Sequence, residues 1–279
     1  MSRPPIIDTH QHFIKADRFP YTWAAGDWAP LHKDFLPKDL QPELSACGVA
    51  GTVTVQADQC VDETRFLLEL AKRHGFILGV VGWVDLVSPT VGEILDELAA
   101  NRTFKGVRHV VHDEPDDDWI ARKDVLRGLK EVERRGLSYD LLVKPQHLKH
   151  VEMLAKTCPA LPLIIDHIAK PPIASKGMEP WKTWIQRVAK IERLHCKLSG
   201  MITEANWKSW RTEDLRPYAE IVIEAFGPER LTFGSDWPVC TLAGSYGRVF
   251  DAFQELVISL SDAERENIYH LNAKKFYNL

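Results

Sequence analysis

The chain has 279 residues, 45% of them apolar and 27% charged, with a formal net charge of −4. That length buries a substantial core and suits either two small domains or one large α/β barrel. The composition is that of a globular rather than a disordered chain, and the slight acidity excludes the basic stripe that a phosphate backbone requires. Five scattered cysteines, never spaced C-x-x-C, argue against a zinc ribbon and a disulfide framework and leave reduced thiols as the expected state. No apolar run approaches the roughly 20 residues of a bilayer span, and the start MSRPPIIDTHQHF lacks the apolar stretch of a signal peptide. A cytoplasmic enzyme or binding protein is expected, with neither nucleic acid nor a membrane as partner.

From IIDTH onward, short β-branched runs alternate with amphipathic stretches. GTVTVQ (Gly51 to Gln56) reads as a strand, and VDETRFLLELAKRHG has helical spacing that ends at Gly75, a plausible C′ glycine. FILGVVGWV (Phe76 to Val84) is the next strand. SPTVGEILDELAAN follows as a helix, with Ser88 as N-cap and Pro89 in its first turn. Four more pairs follow: FKGVRHVV and DVLRGLKEVERRG, LSYDLLVK and QHLKHVEMLAKTC, LPLIIDHI and WKTWIQRVAKIERL, HCKLSG and LRPYAEIVIEAFG. RLTFGSDW is the eighth strand, and the closing stretch from Leu260 reads as helix, with Ser261 and Glu264 spaced as a capping box.

Several strands are apolar almost throughout, as in a parallel sheet covered on both faces. Eight β/α units in about 250 residues have the size and rhythm of a TIM barrel. A doubly wound open sheet shares the alternation, but no G-x-G-x-x-G follows a strand here. The expectation is one α/β domain over residues 1–279, a distorted (β/α)8 barrel. Long loop insertions are expected at 13–42 and 169–181, with a short acidic turn at HDEPDDDW.

In such a barrel the chemistry sits where strands end at their carboxyl termini. Ionisable groups there are His10 and His12 on the first strand, Arg108 and His109 on the fourth and Lys144 on the fifth. His167 ends the sixth, Lys197 lies late in the seventh and Asp236 ends the eighth. Residues i and i+2 of a strand share a side, so both imidazoles of His10-Gln11-His12 can aim into one barrel mouth. Alone, each residue has an ordinary reading as a cap or a satisfied strand-end group. Together, His10, His12, His167 and Asp236 would surround one point of a closed barrel.

With IIDTHQHF, LPLIIDHIAKP, LTFGSDWPV and the closing LNAKKFYNL, the whole chain resembles the amidohydrolase superfamily. Within it, the similarity is to the metal-poor branch of sugar-lactone hydrolases, the L-fuconolactonase and L-rhamnonolactonase enzymes. The resemblance implies a distorted TIM barrel with hydrolytic chemistry at its mouth. By motif, His10 and His12 match the first-strand pair, His167 the sixth-strand histidine and Asp236 the eighth-strand aspartate. SYDLLVK offers no fifth-strand histidine and no bridging lysine, so a two-metal site is not expected.

Lactone hydrolysis needs an activated water, a stabilised carbonyl oxygen and a proton for the leaving ring oxygen, and Asp236 is expected as the general base. The carbonyl would be polarised by one Zn²⁺ on His10, His12, His167 and Asp236, dispensable for an easy electrophile. The alternative is polarisation without metal, by the histidines with Arg108 or His109. Lys15, Arg18, Trp23 and Trp28 of the aromatic loop, with Arg108, His109, Lys144 and Lys197, are candidate contacts to a small sugar lactone, whereas Trp181 and Trp184 on a helix suit the core. Two other functions fit the same scaffold: a metal-dependent decarboxylase of an aromatic or unsaturated carboxylic acid, and a non-catalytic sugar-binding barrel. Monomer and homo-oligomer both remain open.

Overall fold

The computed structural model describes residues 5–279. The strands are β1 (Ile6–Gln11), β2 (Val49–Val55), β3 (Ile77–Gly82), β4 (Phe104–Val110), β5 (Ser138–Leu142), β6 (Leu163–Ile165), β7 (Leu194–Leu198) and β8 (Leu231–Phe233). All eight run parallel and pair in chain order. Helices on the outer face follow each strand, so the strands are buried on both sides, which accounts for the largely apolar runs of β3, β6 and β8 and leaves His10 of β1, Arg108 of β4, Asp140 of β5 and Lys197 of β7 buried within the barrel. The protein is thus a distorted TIM barrel. Among the described residues, no helix is long and apolar enough to cross a membrane.

The seam between β1 and β8 closes only near the carboxyl ends. There the Asp236 amide donates to His10 O at 2.8 Å and the His12 amide to Trp237 O at 2.7 Å. The buried Asp8 carboxylate reinforces the seam by accepting from the amides of His10 and Ser235 and from the Tyr246 hydroxyl. Residues more than two hundred positions apart are therefore locked into register by the backbone on either side of Asp236.

Several local expectations shift. The helix after Ser88 runs Val91–Ala99 with Thr90 at its N-cap, because Ser88 Oγ instead accepts from the Thr90 amide in a preceding turn. Gly75 does not take the left-handed conformation of a C′ glycine, and the helix before it ends at Arg73. The aromatic segment holds a 3₁₀ turn at Gly26–Leu31, and its end is already helical from Pro37. Ser261 and Glu264 do form the capping box, but the helix beyond passes through a π-helical stretch at Asn267–Leu271 before resuming at Asn272–Tyr277.

Candidate active site

Strands β6 and β8 stop short of the residues that matter. His167 lies not at a strand end but in a run of four left-handed residues, His167 to Lys170, and Asp236 also has a positive φ of 59°. Left-handed backbone is costly for residues with a Cβ and gathers where a site needs a side chain aimed against local preference. Gly200 makes room for this turn. It has φ +61°, and a Cβ there would lie 2.3 Å from His167 Nδ1, so only glycine fits beside the imidazole.

The three histidines meet at one oxygen. Asp236 Oδ1 lies 3.3 Å from His12 Nε2, 3.7 Å from His10 Nε2 and 3.8 Å from His167 Nε2. Each ring is held from behind: His12 Nδ1 by Val55 O at 2.8 Å, His167 Nδ1 by Ser199 Oγ at 3.0 Å, and His10 Nδ1 by the Lys197 ammonium, which donates to it at 3.2 Å. A carbonyl can only accept, so His12 carries a proton on Nδ1. A tetrahedron around an ion at 2.0–2.2 Å has an edge of about 3.3–3.6 Å; the His12 spacing of 3.3 Å falls within it, and those of His10 and His167, 3.7 and 3.8 Å, lie just outside. Three imidazole nitrogens gathered around one carboxylate oxygen are a donor set that a divalent cation takes. His10, His12 and Asp236 form one set able to hold a divalent metal, and His10, Asp166 and His167 form another.

Burial sets the charges. It pushes the His10 imidazole well below its ordinary range, Asp166 opposing, and His167 down to about 3, Asp236 opposing. Burial would raise the Asp236 carboxyl, but the surrounding histidines outweigh it and hold the group ionised.

Above these groups opens a cavity of about 530 Å³, lined by His12, His167, Asp236, Arg108 and Lys144, with Trp23 and Trp28 among the further residues. Trp28 stands between Trp23 and Trp207 in edge-to-face contacts at 6.2 and 5.8 Å. His112 also lines the cavity; burial, then the charges of Lys170, Lys144 and Arg108, lower it to about 2.

Four expected substrate contacts point elsewhere. Lys15 pairs with Asp34 at 2.6 Å and Asp17 at 2.9 Å, and Arg18 lies over the rings of Phe19 and Phe66, both away from the cavity lining. His109 follows Arg108 on β4, and successive strand residues face opposite ways. It stacks on Trp119 at 3.9 Å and meets Glu114 Oε1 at 2.6 Å, outside the mouth. Lys197 has no exposed surface and lies inside the barrel between Asp140 and Asp166. Trp181 is core, as expected.

Sequence reasoning passed over Asp166, which bonds Arg108 Nη1 at 3.3 Å, and Asp140, a charge in the middle of an apolar strand. Its signal was visible: a carboxylate inside LSYDLLV must have a buried partner. The cavity residues His112 and Asp113 come from a 3₁₀ turn, Lys170 from the left-handed run and Glu204 from the short helix Met201–Glu204, and they carried no comparable signal.

A family model described as amidohydrolase matches residues 7–279. The chain is 41% identical to L-fucono-1,5-lactonase of Burkholderia ambifaria over 86% of its own length and 83% of that protein's. It is 36% identical to L-fucono-1,5-lactonase of Burkholderia multivorans, over 98% and 96%. Among solved structures, an amidohydrolase from Burkholderia multivorans with bound zinc superposes with a TM-score of 0.91 at 36% identity, over 99% of each chain. Fold, site chemistry and sequence agree, and the chain belongs to the amidohydrolase family of hydrolytic enzymes.

Proposed function

We propose that this enzyme hydrolyses a sugar-derived aldonolactone, L-fucono-1,5-lactone or a close relative, to the aldonic acid, with Asp236 as general base. The observation that carries the reading is an ionised carboxylate, faced by three histidine nitrogens, at the floor of a cavity lined by tryptophan and cationic side chains. Its similarity to two L-fucono-1,5-lactonases supports the substrate class.

The histidines all face Oδ1 of Asp236, which leaves Oδ2 for proton transfer. Asp236 takes a proton from water as the water oxygen attacks the carbonyl carbon. It returns that proton to the ring oxygen as the C–O bond breaks, a contribution of about 10²–10⁴ in rate. Negative charge on the former carbonyl oxygen develops in a cavity whose lining includes Arg108, Lys144 and Lys170. A divalent metal, held by His10, His12, His167 and Asp236, would supply Lewis-acid polarisation of the carbonyl. The apolar face of the sugar ring stacks on Trp28, which Trp23 and Trp207 hold upright.

The test is a panel of neutral aldonolactones, read by acid release with a pH indicator, with and without a chelator. Turnover of a six-membered sugar lactone is expected, part of it surviving chelation. No turnover across the panel would refute the reading, and carbon dioxide release from an aromatic acid, lost on stripping metal, would replace it with a decarboxylase.

A further inference from the structure

Beneath the site, a buried run of contacts ends at His10 and begins at the final helical turn. Tyr277 enters the barrel interior beside Val53, Val55, Val81 and Ile164. Its neighbours meet the starts of the strands: the Lys105 ammonium of β4 donates to Asn278 O at 2.6 Å, and the Phe276 ring lies 4.8 Å from that of His195 on β7. The last turn thus plugs the barrel at the end opposite the cavity.

The Tyr277 hydroxyl donates to Asp140 Oδ2 at 2.8 Å, and Lys197 Nζ donates to the same oxygen at 2.5 Å. The ammonium is shared further, with Asp166 Oδ1 at 3.0 Å and His10 Nδ1 at 3.2 Å. Asp140, Lys197 and Asp166 have no exposed surface, so these contacts lie away from bulk solvent.

We propose that Tyr277 is a positioning residue: through Asp140 and Lys197 it sets the orientation of the His10 ring. The cause is competition for one ammonium. A buried carboxylate that loses a donor is left under-satisfied and draws harder on the donors that remain. Without the tyrosine hydroxyl, Asp140 pulls Lys197 away from Asp166 and His10, and the His10 ring turns with the contact it loses. The consequence for turnover rests on the hydrolytic reading above; the effect on the ring does not.

The test is Tyr277→Phe, which keeps the plug's shape, beside Phe276→Leu, which loosens the same turn without touching Asp140. Both are read by lactone kinetics, thermal melting and the histidine side-chain resonances in ¹⁵N NMR. Removal of an outer hydrogen bond of this kind costs about tenfold or more. Tyr277→Phe should therefore lower kcat about tenfold with KM nearly constant and shift the His10 resonances, whereas Phe276→Leu should lower the melting temperature and leave kcat and His10 alone. Unshifted His10 resonances in Tyr277→Phe, or equal losses of kcat in the two variants, would overturn the proposal. If the wild-type protein turns over no lactone, the hydrolytic reading fails separately, and the His10 resonances still decide for or against the link.

Discussion

Gly200→Ala tests the geometry of the site with one methyl group placed behind the His167 ring, at a residue that does not itself line the cavity. The new Cβ would lie 2.3 Å from His167 Nδ1, 2.5 Å from Cγ and 2.9 Å from its Cβ, on backbone with φ +61°. The left-handed conformation costs about 1–2 kcal/mol once a Cβ is present. The ring must also retreat by about 1 Å to reach ordinary contact, which breaks the 3.0 Å bond to Ser199 Oγ and loses on the order of 1 kcal/mol more. Together this is roughly 2–3 kcal/mol, a fall in Tm of several degrees at about 2–4 °C per kcal/mol. Turnover should suffer more than stability, because a misplacement of about 1 Å at a reacting centre costs on the order of 10²-fold. The assay is kcat on the best lactone, with a thermal melt of the same preparation and a zinc titration. A variant with wild-type kcat and zinc affinity would refute the claim that His167 is held in place by the absence of a side chain at position 200.

Asp236→Asn should lower kcat by about 10²–10⁴ while a non-hydrolysable lactone analogue still binds; a binding protein would have no turnover to lose, and retained turnover would remove Asp236 as the base. Trp28→Ala should raise KM about threefold to tenfold with kcat little changed, since loss of one stacking face is worth about 0.5–1.5 kcal/mol; an unchanged KM would move the sugar off this wall. Glu63 is buried, accepts the amides of Ala57 and Asp58, and is raised by burial from 4.5 to about 8. Its folded-state pKa exceeds the unfolded one, so its contribution is complete below about pH 4.5 and is lost as pH rises through about 8. At about 1.4 kcal/mol per tenfold change in acidity, wild type should lose a few kcal/mol relative to Glu63→Gln between pH 5 and 8. Parallel denaturation midpoints for the two proteins across that range would contradict this.

The barrel was legible because its causes are local. Strands buried on two faces are mostly apolar, and covering helices carry one apolar stripe, so eight alternations announce eight β/α units before any coordinates. His10 and His12 were legible for the same reason, since a strand turns alternate residues to one side. The same rule separates Arg108 from His109, both expected at the mouth: β4 sends them opposite ways. Lys15 and Arg18 lay beyond its reach, because a loop has no period and nearby partners, Asp34 and Phe66, captured both side chains.

The sequence by itself determined which residue types could do chemistry and that they stood on or just beyond the strands, although it read His167 and Asp236 as strand ends where the structure has left-handed turns. Only the tertiary structure decided that they meet. Closure of the seam brings Asp236 against His10 and His12, left-handed turns aim His167 and Asp236 inward, and Gly200 clears the space. Each of these depends on contacts between segments distant along the chain, and their free energy resides in pairs of residues that no local pattern couples. The buried path from Tyr277 through Asp140 and Lys197 to His10 is of the same kind, four residues spread over most of the chain and joined only by the way the barrel closes.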